Sequence, residues 1–380
     1  MTSLTVLTPS EALANIAAPT LQTVDQFSLA PEDWLIVCAG FEERALAVLE
    51  NAIAIQSQFQ VVLICYEPHV SENKADEIRT FCTQAGIPLV EAIYDRQAPA
   101  GFGDVLTACL SGCEGRIVVD ISAMSRLLIV QILVALSARP RGFLDCCVAY
   151  AQAETYPPTR EEAEAALARH EVNENYGILF LSSGVFEVSV VPELSSQAMG
   201  GEQTRLIAFP SLDAQHLISL RTELQPSRLS LIDGIPPDQT NQWRQEIISK
   251  LNHVEQLTSS GAADQFAAST LWYQETLKTL LQIYSQHSLR DRLLLAPTGS
   301  KMQSVAVGIF RSFVEDVQIV YPTPSSFLSP TKYTQGVGAF HWLPLSAFYF
   351  DHPKVIDPFL GDIDEPLIRH AGWSSQGAAS

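Results

Sequence analysis

Residues 293–302 read LLLAPTGSKM, and this stretch indicates the fold. Its apolar run stops at a Pro-Thr-Gly-Ser turn, and the apolar helical pattern MQSVAVGIFRSF starts directly after Lys301. A short apolar run that passes through a small-residue turn into a helix is typical of a buried parallel strand and its crossover helix. The same order recurs at residues 117–137, where IVVDISAMSR leads into a second apolar helix.

Working outward, apolar runs alternate with helical patterns along most of the chain. The runs lie at residues 34–39, 61–66, 89–94, 117–121, 144–151, 206–209, 229–232, 293–296 and 317–321. This rhythm predicts an α/β fold with two Rossmann-like, mostly parallel sheets and helices on both faces. The order of strands, turns and helices is similar in the two halves, which favours an internal duplication. The alternative is two unrelated stretches with the same βα rhythm.

A length of 380 residues favours two domains. We expect a first Rossmann-like domain at residues 1–195, with a hairpin extension in which residues 178–182 and 185–191 are joined through Ser183-Gly184. We expect a second Rossmann-like domain at residues 203–380, with a C-terminal segment rich in proline and aromatic residues.

The charge balance limits the class of partner. The chain has 23 basic and 42 acidic residues, and its net charge of −19 argues against general coating of DNA or RNA. A small nucleotide needs only a local group of donors and stays compatible with this charge.

No apolar run is long enough to span a membrane, and the N-terminus lacks a signal-peptide pattern. We therefore expect a cytoplasmic protein with no membrane contact. The seven cysteines show no zinc-site spacing, so no metal is expected, and the cofactor is left unknown.

The turn at residues 297–301 is suited to an anion. Backbone N–H groups and the positive end of the helix dipole point out of the carboxyl edge of the sheet at such a turn. Thr298 and Ser300 add hydroxyls, Gly299 allows close approach, and Lys301 adds a charge. The spacing is not that of a Walker loop. The alternative is an ordinary strand-to-helix turn in which a hydroxyl caps the helix.

The turn at residues 120–126 occupies the same position in the first half. Ser122 or Ser125 can cap the helix, and Arg126 can bind a phosphate through two parallel hydrogen bonds. Asp120 lies at a strand end, where its carboxylate could accept a ribose hydroxyl or a base edge. Its alternative role is to fix the turn through an Asx hydrogen bond.

Further candidates lie after other strands. Gly40, Phe41 and Arg44 follow the first strand, which is a common ligand position in open α/β sheets. Phe41 could stack on a base, and Arg44 could reach a phosphate. Glu67 ends the second strand, and Tyr321 ends the last clear strand. Ordinary structural roles remain open for each of them.

A catalytic group is not apparent in the sequence. It contains neither a GxSxG elbow nor an HExxH motif. The histidines are scattered, and His216 and His287 lie on predicted helices without a readable nucleophile or base partner. Whether the chain is an enzyme therefore stays open.

The layout resembles the CARF and SAVED families, Rossmann-like sensors of cyclic oligonucleotide second messengers in prokaryotic antiviral defence. Residues 297–302 are similar to the Thr-Gly-Gly-Thr-Lys-type turn of CARF domains, and SAVED proteins carry two such halves in one chain. The second glycine of the CARF turn is missing here. The resemblance implies ligand contacts from both halves, by Thr298, Gly299, Ser300 and Lys301 and by Ser122, Ser125 and Arg126. A fused nuclease or protease is not apparent, so the effector would be a separate chain, or this protein would degrade or sequester the messenger.

Three hypotheses follow from the sequence. The first is a binding protein that holds a small nucleotide-like ligand between its halves and works with a protein partner or separate effector. The second is a nucleotide-processing enzyme, either a ring-nuclease-like phosphodiesterase or a hydrolase or transferase that uses Asp120 or Glu67. The third is a non-catalytic interaction protein of a defence operon, in which the turns only cap helices.

Overall fold

The apolar runs of the sequence form strands that are buried on both faces. A computed structural model describes residues 8–172, 182–196, 203–327 and 334–349. The predicted C-terminal segment beyond residue 349 lies outside the described residues. Every residue of the strand Trp34–Cys38 and of the strand Cys146–Ala151 is buried. Burial on both faces is the reason why these runs are continuously apolar rather than alternating.

The first half begins with two short elements and then follows a regular βα order. Its elements are α1 (Pro9–Asn15), β1 (Gln22–Val24), β2 (Trp34–Cys38), α2 (Ala47–Ile55), β3 (Gln60–Glu67), α3 (Ala75–Ala85), β4 (Leu89–Asp95), α4 (Phe102–Cys109), β5 (Ile117–Asp120), α5 (Arg126–Ser137), β6 (Cys146–Ala151) and α6 (Arg160–Val172).

The second half repeats this order. The strand β7 (Ser182–Val190) precedes it, and the elements of the second half are β8 (Gln203–Ala208), α7 (Ala214–Leu224), β9 (Arg228–Ile235), α8 (Trp243–Leu251), α9 (Val254–Ser259), β10 (Ala263–Ser269), α10 (Tyr273–His287), β11 (Asp291–Ala296), α11 (Lys301–Phe313), β12 (Gln318–Phe327) and β13 (Phe340–Pro344).

Both halves build a parallel sheet with the same strand order. The order is β4-β3-β2-β5-β6 in the first half and β10-β9-β8-β11-β12 in the second. The order of the strands reverses between β2 and β5 and, equivalently, between β8 and β11. The predicted α/β class with two similar, mostly parallel sheets is confirmed, and this similarity favours the proposed duplication.

Each parallel sheet is extended by an antiparallel strand that lies outside its own half of the sequence. β13 follows β12 in the sequence but pairs with β6 of the first sheet, and β1 pairs with β13. β7 follows the first half but pairs with β12 of the second sheet. The predicted turn at Ser183-Gly184 is not formed, because both residues lie within the single strand β7. The division at residues 195–203 stays a prediction, although strands from each side of it complete the other side's sheet.

The main core lies between the two sheets and contains the inner helices α4, α5, α10 and α11. Two smaller cores cover the outer faces of the sheets. Helix α5 is apolar around most of its circumference because it lies between its own sheet and α11. The two helices approach closely at Gly308, where an added Cβ would lie 2.7 Å from the Leu133 Cδ1 atom and 2.9 Å from its Cβ. The contact between α5 and α11 therefore sets the relative position of the two halves.

Gly308→Ala tests this contact. Alanine favours a helix over glycine by about 1 kcal/mol, but here its methyl group would overlap Leu133. We expect a net loss of about 1–2 kcal/mol in the free energy of unfolding, measured by urea denaturation. Combining it with Leu133→Ala should cost less than the sum of the single variants, because the shorter side chain removes the overlap with the Leu133 Cδ1 atom.

Gly103→Ala is the matched control. Gly103 lies in α4, and an added Cβ there meets only the Cβ of Ala135, at the ordinary distance of 3.5 Å. This variant should be neutral or stabilising. Equal effects at Gly103 and Gly308 would contradict a tight contact between α5 and α11.

Candidate functional site

The turns that precede α5 and α11 meet at the interface between the halves. We call residues 120–126 the first interface turn and residues 296–301 the second interface turn. The Lys301 Nζ atom donates to the Met124 carbonyl at 2.7 Å, and the Arg126 Nε atom donates to the Gly299 carbonyl. Each half therefore places the cation at the start of its helix on the backbone of the other half. The structure brings the two sequence-predicted turns together.

The hydroxyls of Ser125 and Ser300 cap the two helices. The Ser125 Oγ atom accepts from the Leu128 N–H at 3.4 Å, and the Ser300 Oγ atom accepts from the Gln303 N–H at 3.1 Å. The Gln303 Oε1 atom accepts from the Ser300 N–H at 2.8 Å, which completes a capping box. The alternative capping role is thus observed for both serines.

The hydroxyls of Ser122 and Thr298 join neighbouring strand ends. The Ser122 Oγ atom donates to the Asp120 carboxylate at 2.5 Å and accepts from the Ala151 N–H at 2.8 Å. The Thr298 hydroxyl donates to the Phe209 carbonyl at 2.8 Å and accepts from the Phe209 N–H at 3.1 Å. These hydrogen bonds fix both interface turns relative to their sheets.

Asp120 is buried beneath the first interface turn. Its carboxylate also accepts from the Ser122 N–H at 2.9 Å, as in an Asx turn. Burial raises its pKa from 3.8 to about 6, although the hydrogen bonds from Ser122 and the charges of Lys301 and Arg44 act in the opposite direction. Asp120 thus has a role in the turn and a pKa within the range of an acid–base group.

The glycines at the site allow close approach of the backbone. A Cβ on Gly40 would lie 2.6 Å from the Ala123 Cβ, so the turn after β2 packs directly on the first interface turn. A Cβ on Gly299 would overlap the Gln303 side chain that completes the capping box. Neither position has room for another side chain without a shift of its neighbours.

Arg44 is buried next to the interface turns. Its Nε atom donates to Glu42 at 2.5 Å, and its Nη1 atom donates to the Tyr150 hydroxyl at 3.3 Å and to the Ala151 carbonyl at 3.4 Å. Its guanidinium lies 5.8 Å from the centre of the Tyr150 ring. Phe41, in the same turn, is half-buried.

Lys301 lies in the field of two other cations. Its pKa is lowered from 10.5 to about 7, first by burial and also by the charges of Arg44 and Arg126, whereas Glu42 acts in the opposite direction. Arg126 and Lys301 are each partly buried. The site therefore concentrates positive charge in a chain whose net charge is −19.

Two predicted residues lie apart from this group. Glu67 ends β3 with its side chain exposed. Because successive side chains of a strand point to opposite faces, Glu67 points away from the face on which its neighbour Tyr66 reaches the interface turn. Tyr321 is buried in the main core between the sheets. Neither residue takes part in the hydrogen bonds of the interface turns described above.

Three further residues contribute here; sequence reasoning included Tyr66 among the candidates at the end of the second strand and missed Glu42 and His216. The Tyr66 hydroxyl accepts from the Ser125 N–H at 2.6 Å. Glu42 compensates the charge of Arg44. His216 is buried in the first turn of α7, with its Nε2 atom 3.6 Å from the Asp213 carboxylate; burial lowers its pKa, an effect that Asp213 opposes and the charge of Arg126 reinforces. The spacing Asp213-x-x-His216 was the only local signal for this last pair.

A shallow cavity occurs at the opposite, amino end of β9, where Ile218, Arg221 and Ser227 are among its lining residues. It brings together one cation and mostly apolar or small side chains. The convergence of charge at the interface turns makes them the stronger candidate for a ligand site.

No protein-family model matches the chain, and no curated protein matches it. The CARF and SAVED resemblance therefore stays a prediction. Among solved structures, a universal stress protein from Archaeoglobus fulgidus DSM 4304 is similar over 77% of this chain and 97% of its own, with 11% identity and a TM-score of 0.22. The cytoplasmic domain of a prokaryotic cation chloride cotransporter is similar over 77% of this chain and 95% of its own, with 9% identity and a TM-score of 0.20. Similarity at this level gives no argument about function.

Within the described residues, no helix is long and apolar enough to cross a membrane.

Lys301→Met tests the electrostatic cost at the interface. The unfolded lysine stays protonated up to about pH 10.5, whereas the folded one has a pKa of about 7. The cost of folding with a charged Lys301 is therefore present in full below pH 7 and decreases as pH rises toward 10. In urea denaturation, the wild type should gain stability relative to Lys301→Met between pH 7 and 9.5.

Lys278→Met is the control, because Lys278 is exposed on α10. Its stability difference from the wild type should not change over the same pH range. A difference for Lys301→Met that is equally constant would show that Lys301 keeps an ordinary pKa in the folded protein.

Proposed function

We propose that the two interface turns together bind a small anionic ligand, a nucleotide. The observation that supports this is the convergence of Arg44, Arg126 and Lys301, supplied by both halves, at the carboxyl ends of the central strands. Open α/β sheets bind ligands at this edge, where the strand order reverses. An anion between these cations would stabilise the protonated form of Lys301, whose pKa is lowered to about 7 by burial and by the charges of Arg44 and Arg126.

The present partners of the two interface cations are neutral. Lys301 and Arg126 donate to backbone carbonyls, which compensate a cation less well than a phosphate oxygen does. Helices α5 and α11 also begin at these turns, so the positive ends of both dipoles lie at the same place. Charge and dipole therefore act together in favour of an anion.

The finer assignment follows the CARF and SAVED resemblance. On that resemblance, the ligand is a cyclic oligonucleotide second messenger of antiviral defence, and a separate effector chain responds to its binding. The half-buried ring of Phe41 would offer a surface on which a base stacks.

An enzyme of the same shape is the second candidate. The pKa of Asp120 is raised to about 6 by burial, and that of Lys301 is lowered to about 7, so both groups titrate near neutrality and act on each other electrostatically. Such a pair is typical of acid–base catalysis at a phosphate. Chromatography of a nucleotide incubated with the protein separates this candidate from a sensor.

The binding proposal is tested by thermal unfolding in the presence of mono-, di- and cyclic oligonucleotides. At least one of them should raise the unfolding temperature of the wild type. The double variant Arg126→Ala/Lys301→Ala should lose this shift, because each cation is expected to contribute about tenfold to affinity. Its near-ultraviolet circular dichroism should confirm that it remains folded.

The control for total charge is Arg79→Ala/Lys278→Ala, which removes the half-buried Arg79 of α3 and the exposed Lys278 of α10. This variant should keep the ligand-induced shift. An undiminished shift in Arg126→Ala/Lys301→Ala would reject the site, and no shift with any nucleotide in the wild type would favour the non-catalytic interaction protein.

Binding should also depend on pH. Sulfate keeps its charge between pH 6 and 8.5, so a change in its affinity reports on the protein alone. Protonated Lys301 favours an anion, and its pKa of about 7 predicts that sulfate binding strengthens as pH falls from 8.5 to 6. Calorimetric titration should show this trend in the wild type and a weaker one in Lys301→Met. The same trend in both proteins would exclude Lys301 as its source.

A further inference from the structure

The side-chain amide of Gln303 lies directly beneath the second interface turn. Gln303 belongs to the first turn of α11 and is 1% exposed. Its Oε1 atom accepts from the Ser300 N–H at 2.8 Å, and this contact identifies the amide oxygen, because an NH2 group cannot accept from an N–H. The other end of the amide, the Nε2 atom, is buried and has no hydrogen-bond partner among the described residues. The site therefore contains a fixed donor without an acceptor.

Capping of α11 does not require this donor. A glutamate at the same position of a capping box accepts with a carboxylate oxygen and leaves no N–H group unpaired. In the first half, the residue at the equivalent position, three after the capping Ser125, is the buried Leu128. The fold is thus built once with an apolar side chain here and once with an amide. Because an unpaired buried donor is unfavourable, neither capping nor packing accounts for the amide of Gln303.

The free end of the amide lies next to a partly exposed edge of the second sheet. An added Cβ on Gly234, near the end of β9, would lie 3.7 Å from the Gln303 Nε2 atom and 2.8 Å from the Thr270 Cγ2 atom. Gly234 and Thr270 are both partly exposed. The neighbouring carboxylate of Asp233 points to the opposite face of the sheet, where it accepts from the Gln265 Nε2 atom at 2.6 Å. The Thr270 methyl group thus fills the space beside Gly234, next to the amide.

Gly299 connects this amide with the interface cations. Its carbonyl accepts from the Arg126 Nε atom, and a Cβ added to it would overlap the Gln303 side chain. Gln303 also shares the first turn of α11 with Lys301. A ligand anchored at these cations would therefore reach the amide by extending across Gly299. The amide carries no charge, so its complement is an uncharged oxygen or nitrogen acceptor rather than a second phosphate.

We propose that Gln303 is a specificity-determining residue that donates, through Nε2, to an uncharged acceptor on the sugar or base of the bound nucleotide. This inference rests on the proposed function and deepens it, because it assigns a contact to the part of the ligand that is not phosphate. The Thr270 side chain rotates to admit the acceptor. A site that leaves a buried donor unpaired discriminates against ligands that lack the matching acceptor. The amide then distinguishes a nucleotide from free phosphate.

The test compares the full-length wild type with Gln303→Leu, which copies the first half at this position. Calorimetry at pH 7.5 measures the affinity for inorganic phosphate, ribose 5-phosphate and the four ribonucleoside 5′-monophosphates. At least one nucleotide should bind to the wild type more tightly than inorganic phosphate does. In Gln303→Leu the affinity for this nucleotide should fall about tenfold, whereas that for inorganic phosphate should stay unchanged. The same loss for ribose 5-phosphate would place the acceptor on the sugar, and no loss would place it on the base.

Gln303→Glu is a second variant that keeps the capping box. Its carboxylate accepts from the Ser300 N–H and favours the start of α11, so the variant should be at least as stable as the wild type in urea denaturation. Its charge weakens the binding of every anion, so the informative quantity is the ratio of nucleotide affinity to phosphate affinity. This ratio should again fall about tenfold, because a carboxylate cannot donate. Gln256→Leu, at an exposed position of α9, is the control and should keep the ratio of the wild type.

The outcomes separate this inference from the proposed function. An unchanged ratio in both variants would overturn the role of Gln303 and leave the anion site in place. An equal loss of affinity for inorganic phosphate and nucleotides in Gln303→Leu would also overturn it, because the whole turn would then be disturbed. A wild type that binds inorganic phosphate, but no nucleotide more tightly, would overturn the inference alone. A wild type that binds neither would reject the proposed function as well.

Discussion

The packing of α5 against α11 determines where the candidate site residues lie. Each of these helices is covered by its own sheet on one side and by the other helix on the other, and Gly308 allows Leu133 to approach closely. Because the helices meet along their apolar surfaces, the turns at their starts also meet. Arg126 and Lys301 then reach across the interface to carbonyls of the opposite turn. The site is thus a consequence of how the two cores merge into one.

This arrangement has an electrostatic cost. Arg44, Arg126 and Lys301 act on one another in a partly desolvated place, and Glu42 and the buried Asp120 compensate only part of their charge. The rest of the chain is strongly acidic, so the same three cations could have been placed on the solvent-exposed surface at little cost in free energy. Folding alone does not require three cations here. Such a local conflict, within a fold that is otherwise consistent, is typical of a functional site.

The fold was readable from the sequence because burial on both faces leaves a local signal. The run WLIVC of β2 and the run LLLA of β11 are continuous, and each stops at a turn that starts a helix. The predicted capping ability of Ser125 and Ser300 is also a local property, and both serines cap. The partner of Ser122, by contrast, is a backbone N–H of the next strand, and the sequence gives no sign of it.

Long-range features were not readable for the same physical reason. A short strand such as β13 carries a pattern that can pair with either sheet, and only the packed interface decides that it joins β6. His216 appeared as one polar residue of a predicted helix, because a sequence pattern does not show that its imidazole is buried without a hydrogen-bond partner. A sequence pattern reports on residues that are close together in the chain, whereas the residues of this site are distant in the chain and close together in space.

The same geometry links ligand binding to the interface. The Lys301 ammonium and the Arg126 guanidinium each have N–H donors beyond the one that bonds to the opposite turn, so a bound anion would share these cations with the Met124 and Gly299 carbonyls. In the proposed function, the ligand would therefore act directly on how the turns meet. The exchanged strands β7 and β13 tie each half to the other's sheet and oppose separation of the halves. In the proposed function, binding would accordingly rearrange the interface turns around a fixed pair of helices rather than open the molecule.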